Sequence, residues 1–120
     1  MDETRMGAVE SRFADLIWDN EPLKSGELVA LCEKELNWKK STTYTVLKKL
    51  CQRGIFVNDG GMVRACISRA DFHAMQSERF VEETFEGSLP AFLAAFTRRK
   101  SLSAEEIAQI RRMIDTYEEG

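Results

Sequence analysis

The stretch Lys39-Lys40-Ser41-Thr42-Thr43-Tyr44-Thr45-Val46-Leu47-Lys48-Lys49-Leu50-Cys51-Gln52-Arg53-Gly54 decides the reading of this chain. At helical spacing, Thr43, Val46, Leu47 and Leu50 share one side, which can bury against a small core. Ser41, Tyr44, Thr45, Lys48 and Gln52 share the other. No acidic side chain occurs between Leu36 and Asp59, although the chain carries 20 acidic residues against 17 Lys and Arg. Hydroxyls and amides on such a face can bond to bases or phosphates, and lysine neutralises phosphate. Ser41 or its neighbour is expected to cap the start of this helix, and Gly54 to end it in a left-handed conformation.

The segment that follows changes period. Ile55-Phe56-Val57 reads as a short strand and Asp59-Gly60-Gly61 as a tight turn. Val63, Ala65 and Ile67 then alternate with Arg64 and Cys66 on a returning strand. Arg64 is close enough to the hairpin tip to meet a phosphate.

Two helices are expected before this stretch. Val9 to Asp19 places Val9, Phe13, Leu16 and Ile17 on a stripe, with Trp18 closing its end, and Asn20-Glu21-Pro22 breaks it. Ser25-Gly26-Glu27 opens the second with a serine cap, and Leu28, Val29, Leu31, Cys32 and Leu36 form its buried side. Asn37-Trp38 turns the chain into the basic helix, a helix-turn-helix pattern. With the hairpin it makes a winged helix-turn-helix. The expected fold is mainly α with a small β-hairpin, divided into a winged-helix DNA-binding domain over 1–69 and a helical dimerisation region over 70–120.

Net charge is −3, which alone argues against nucleic acid. Its distribution argues the other way. Residues 39–69 hold seven basic side chains against one acidic, net +6, and residues 71–120 carry net −4. A local basic field matters more for association than the total. Lys39, Lys40, Ser41, Thr42, Tyr44, Thr45, Lys48, Lys49 and Arg64 are the candidate DNA contacts.

The C-terminal third is apolar on too many sides for one small core. Phe72, Met75, Phe80, Val81 and Phe85 lie on a helix over 70–86. Leu89, Phe92, Leu93 and Phe96 follow on a short helix. Ser103-Ala104-Glu105-Glu106 is a capping box, and Ile107, Ile110, Met113, Ile114 and Tyr117 repeat at helical spacing behind it. Such stripes call for a partner surface, and a homodimer is the commonest solution. Phe80, Leu89, Phe92, Leu93, Phe96, Ile107, Ile110, Met113 and Ile114 are the candidate dimerisation residues.

Three separated cysteines, one histidine and no CxxC encode no structural zinc site, so neither metal nor cofactor is expected. Their odd number, with no signal peptide, points to reduced thiols in a cytosol. Cys32 and Cys51 fall on or beside apolar stripes and are expected as small buried hydrophobes. A thiol- or metal-responsive regulator is the alternative that they leave open, and His73 is read as surface or interface. Nucleophile elbow, phosphate loop and acid–base pair are all missing, so no enzyme is expected. A winged helix used as a protein–protein adaptor is the other alternative, and the local +6 counts against it.

Thr42-Thr43-Tyr44-Thr45-Val46-Leu47-Lys48-Lys49-Leu50, Phe85-Glu86-Gly87-Ser88 and Leu102-Ser103-Ala104-Glu105-Glu106-Ile107, in this order, resemble the penicillinase repressor family over about residues 8–117. That family includes the β-lactamase, methicillin-resistance and copper-homeostasis repressors. The resemblance implies a dimeric bacterial repressor on a palindromic double-stranded operator, released in the β-lactam branch when a membrane sensor metalloprotease triggers cleavage. In that branch the resemblance implies cleavage between an asparagine and a phenylalanine, and Ala95-Phe96 stands at that place. Where the copper branch has clustered cysteines, this sequence has Asp115-Thr116-Tyr117-Glu118-Glu119-Gly120, so copper sensing by that device is not expected.

Overall fold

A computed structural model describes residues 5–117. Its elements run α1 (Ala8–Asn20), β1 (Leu23–Lys24), α2 (Ser25–Leu36), α3 (Lys40–Gln52), β2 (Phe56–Asp59), β3 (Met62–Ala65), α4 (Arg69–Phe85), α5 (Leu89–Thr97) and α6 (Ala104–Asp115). The chain divides into two compact units between Arg79 and Phe80, within α4. Residues 118–120 of the quoted ending lie outside the described part.

The first unit is a winged helix. Its core joins Phe13, Ala14 and Ile17 of α1, Leu28 and Cys32 of α2, and Leu47 and Leu50 of α3 to Leu23, Ile55, Phe56, Val63 and Phe72. Burying an aliphatic or aromatic side chain of this size contributes about 1.5–3 kcal/mol. Val9, expected on the stripe of α1, is exposed, whereas Ala14 is fully buried. A residue as small as alanine gives little hydrophobic signal, yet it is what lets neighbouring elements approach closely.

The sheet has three strands, not two, in the order β1-β3-β2. Leu23 pairs with Val63 and Lys24 with Met62. Two residues are too short to show alternation, so nothing in the sequence marks β1. The strand also moves the expected serine cap. Lys24 takes the cap position of α2 and the Glu27 carboxylate accepts its amide hydrogen at 2.9 Å. Ser25 is already helical, and its backbone N–H donates to the Gly61 carbonyl at 2.8 Å. Beyond β1, the Glu21 carboxylate accepts the Ala65 N–H at 2.9 Å.

The turn from β2 to β3 is the two-residue loop Gly60-Gly61, with φ of 58° and 93°. Positive φ at both central residues is the geometry that matches strand twist, and it favours glycine. Before α3, Asn37 adopts φ 57° and closes α2, its N–H reaching the carbonyls of Cys32 and Glu33.

The aromatic residues of α4 serve two clusters. Phe72 is in the first unit's core, with its ring 5.6 Å from Trp18. Arg69 bonds to Asp19 and Asp15, its guanidinium 5.7 Å from the Trp18 ring. Trp18 Nε1 donates to the Ile67 carbonyl at 3.0 Å. Phe72 thus lies past the 69/70 boundary read from sequence while packing with the winged helix.

The second unit contains the end of α4 with α5 and α6. Phe80, Phe85 and Phe92 make a triangle of edge-on rings with centroids 5.7 to 6.1 Å apart, and Phe96 lies 6.0 Å from Phe92. Ser88 caps α5 by accepting the Ala91 N–H at 3.1 Å. The capping box of α6 forms as expected, with Ser103 and Glu106 exchanging two bonds of 3.0 Å. Among the described residues from Phe80 onward, none is buried.

Candidate nucleic-acid interface

Helix α3 is oriented by its buried side. Thr43, Leu47 and Leu50 are at most 2% exposed, and half-buried Val46 packs beside them. The expected cap at Ser41 does not form. Lys39 holds the cap position without a side-chain bond, and Ser41 lies in the first turn, exposed. Its hydroxyl is therefore not consumed by the helix end. At the other end Gly54 has φ 79°, as its type and place suggest, and its N–H bonds to the Cys51 carbonyl.

The outward side presents Lys40, Ser41, Thr42, Thr45, Lys48, Lys49 and Gln52, all exposed, with Lys39 at the entrance. Among the described residues, Lys39, Lys40 and Lys48 make no ion pair, whereas two other expected contacts do. Lys49 Nζ lies 3.0 Å from a Glu10 carboxylate oxygen. Arg64 lies 3.3 Å from Asp59, both well exposed. An exposed pair of this kind is worth about 0–1 kcal/mol and opens readily to a stronger anion. The Glu10 pair is more enclosed. Burial raises the Glu10 carboxyl, but a bond from the Gly7 N–H and the charges of Lys49 and Arg53 outweigh it and hold the group below its ordinary value.

The hydroxyls divide in the same way. The Thr45 hydroxyl donates to the Ser41 carbonyl at 2.9 Å and keeps only acceptor capacity outward. Tyr44, expected among the contacts, is half-buried against the core, and its hydroxyl donates to Ser25 Oγ at 3.1 Å. Ser25 is at the start of α2, so this bond ties the two helices of the helix-turn-helix together. Lys24, which the sequence pattern does not single out, is exposed on β1 and borders a cleft with Ser25, Gly26, Glu27, Gly60, Gly61 and Met62. Only the strand pairing of β1 with β3 shows that this lysine stands beside the wing.

Ala95 and Phe96 lie in the last turn of α5, where both carbonyls accept helical bonds from Arg98, Arg99 and Lys100. His73 is exposed, its ring 6.3 Å from that of Trp18. Among the described residues, no cluster of three or more His, Cys, Asp or Glu side chains is arranged to hold a metal ion, and no helix is long and apolar enough to cross a membrane.

Three N-terminal helices, a three-stranded sheet and a two-residue wing turn define a winged helix-turn-helix protein with a helical C-terminal region. This chain belongs to the penicillinase repressor family, whose model it matches over residues 6–116. The penicillinase repressor of Bacillus licheniformis is 21% identical over 117 aligned residues, which cover 90% of this chain and 88% of that protein. Members of the family are transcription regulators, not enzymes, and the chain has a repressor's role.

Proposed function

We propose that this protein is a bacterial, cytoplasmic repressor that binds a palindromic double-stranded operator as a homodimer. The observation that carries the reading is the outward face of α3, with hydroxyls, unpaired lysines and no acidic side chain. The helix enters the major groove. Ser41, Thr42 and Thr45 meet base edges, and Lys39, Lys40 and Lys48 neutralise phosphates. Lys24 and Arg64 approach the backbone from the wing, Arg64 after giving up its exposed pair with Asp59. Tyr44 braces α3 against α2 rather than reading bases. Lys49 divides its charge between Glu10 and phosphate.

The second unit supplies the dimer. Its apolar side chains are only partly covered within the unit, with Phe80 51%, Leu89 57% and Ile114 66% exposed. One winged helix makes few contacts, and linking two raises affinity through effective concentration. The candidate interface takes Phe80, Leu89, Phe92, Leu93 and Phe96 together with Ile107, Ile110, Met113 and Ile114. Separating or cutting this region would release DNA without touching α3. A membrane sensor metalloprotease would have to unwind the end of α5 to reach the Ala95–Phe96 bond, since a protease reads extended backbone.

Binding to double-stranded DNA selected from a random pool tests the reading. The expected product is a palindrome with half-sites about one helical turn apart. Recovery of no enriched sequence, with passage through heparin at low salt, would defeat it and favour a protein–protein adaptor.

A further inference from the structure

The start of α4 is held to α1 by a joint that the DNA reading does not use. Asp15, Trp18 and Asp19 share one face of α1 at helical spacing. Arg69, the first residue of α4, sets its guanidinium against all three. Its Nε lies 3.1 Å from an Asp15 carboxylate oxygen, and its Nη2 donates both to the Asp15 carbonyl at 3.2 Å and to the Asp19 carboxylate. The guanidinium carbon is 5.7 Å from the Trp18 ring centre. One turn on, Phe72 is buried and packs on the same indole. Ser68 caps this turn by accepting the Asp71 N–H at 3.1 Å. From His73 to Arg79 no residue of α4 is buried, so close packing grips the helix at its first turn. Phe72 alone would make a pivot, whereas Phe72 and Arg69 together fix an axis. The helix runs on to Phe85. At 1.5 Å per residue that is about 20 Å beyond Phe72, so a tilt of about 10° at the joint displaces its far end by about 3 Å.

We propose that Arg69 is a positioning residue for operator selection: its clamp on Asp15 and Asp19 fixes the direction in which α4 leaves the winged helix, and thereby the half-site spacing that the dimer accepts. The inference rests on the proposed homodimer and palindrome. Two reading helices gain from linkage only where both engage at once, and a stiff joint confines that gain to one spacing. Arginine suits the task because its planar fork of donors serves two carboxylates and a carbonyl while lying against an aromatic ring, which the point charge of lysine cannot do. Both carboxylates are on α1, away from α3 and the wing, so the clamp acts on spacing and not on base contact.

The test compares full-length wild type, Arg69→Gln and a double variant, Asp15→Asn with Asp19→Asn. Each is titrated with the selected palindrome, with the same palindrome lengthened or shortened by two base pairs between its half-sites, and with a single half-site. The ratio of affinities between spacings cancels any overall change of charge. Wild type should prefer the original spacing strongly, and in both variants that ratio should shrink by about tenfold, part of a linkage gain of about 10²–10⁴. Affinity for the single half-site, and dimerisation by sedimentation, should match wild type. Arg69→Lys should give an intermediate ratio. The Asp15 and Asp19 side chains are 50% and 59% exposed, so the double variant keeps its fold even if Arg69→Gln does not. An unchanged ratio in the double variant, or a loss on the single half-site equal to that on the palindrome, would overturn the proposal. Failure of the operator reading would show separately, as a wild-type chain that selects no palindrome, and would take this proposal with it.

Discussion

The two units of this chain solve the burial problem differently. Residues up to Arg79 close a core from four helices and a sheet, with Phe13, Ile17, Leu28 and Val63 fully buried. From Phe80 onward, four phenylalanine rings touch one another and still no described residue is buried. Both segments carry helical apolar stripes of similar strength in sequence. The difference is that the first has a sheet and a crossing helix to lay its stripes on, while the second has about three short helical pieces and too little surface to cover them. Under the proposed dimer, the chain uses its apolar residues for its own stability in one region and leaves them for assembly in the other.

The largest expected effect breaks the second region. Phe92→Asp places a charge among the rings of Phe80, Phe85 and Phe96. Sedimentation should show a monomer at micromolar concentration, and operator affinity should fall by about 10²–10⁴, the loss of linkage between two half-sites. A variant that remained a dimer would move the interface away from this cluster.

Phe13→Ala is the matching break in the first region. Phe13 is 0% exposed and stacks on Trp38 at 5.4 Å. Denaturant melts should show a loss of about 3–5 kcal/mol. If both variants lost stability equally and neither changed association, the contrast between the units would be wrong.

Lysine substitutions on α3 sharpen the contrast by leaving both cores intact. Lys48→Ala should lower the steepness of the salt dependence of operator binding by about 0.9. Lys49→Ala should lower it less, because Glu10 already occupies that ammonium. Equal slopes for the two variants would show that the Glu10 pair opens fully on DNA.

Two smaller effects concern single hydrogen-bonded carboxylates, one in each unit. Ser103→Ala removes half of the capping box of α6 and should cost about 1 kcal/mol of helix stability, read as lower ellipticity on heating. Glu10 has a lowered folded-state pKa. Its stabilisation is therefore present above the ordinary carboxyl value and is lost as pH falls through the folded one. Urea melts of Glu10→Gln and wild type should differ near neutral pH and converge in acid.

Much of the fold was legible because strong local signals agreed. Asp59-Gly60-Gly61 marked the wing turn, Ser103 and Glu106 marked the last helix, and Thr43, Leu47 and Leu50 marked the buried side of α3. The candidate site was legible only as a face. Sequence spacing put Tyr44 with the contacts because it lies opposite the core residues of its own helix, but Ser25 on another helix captures its hydroxyl. Lys49 and Arg64 counted as free charge until folding brought Glu10 and Asp59 beside them.

By itself the sequence determined the helical periods, the turn chemistry and the concentration of positive charge between Lys39 and Arg69, because these are properties of neighbours along the chain. Tertiary structure decided the third strand, the cap at Lys24, the packing of Phe72 with the winged helix, and the bond of Tyr44 to Ser25. Each of these depends on groups distant in sequence arriving at hydrogen-bonding or van der Waals range, and no local pattern encodes that arrival.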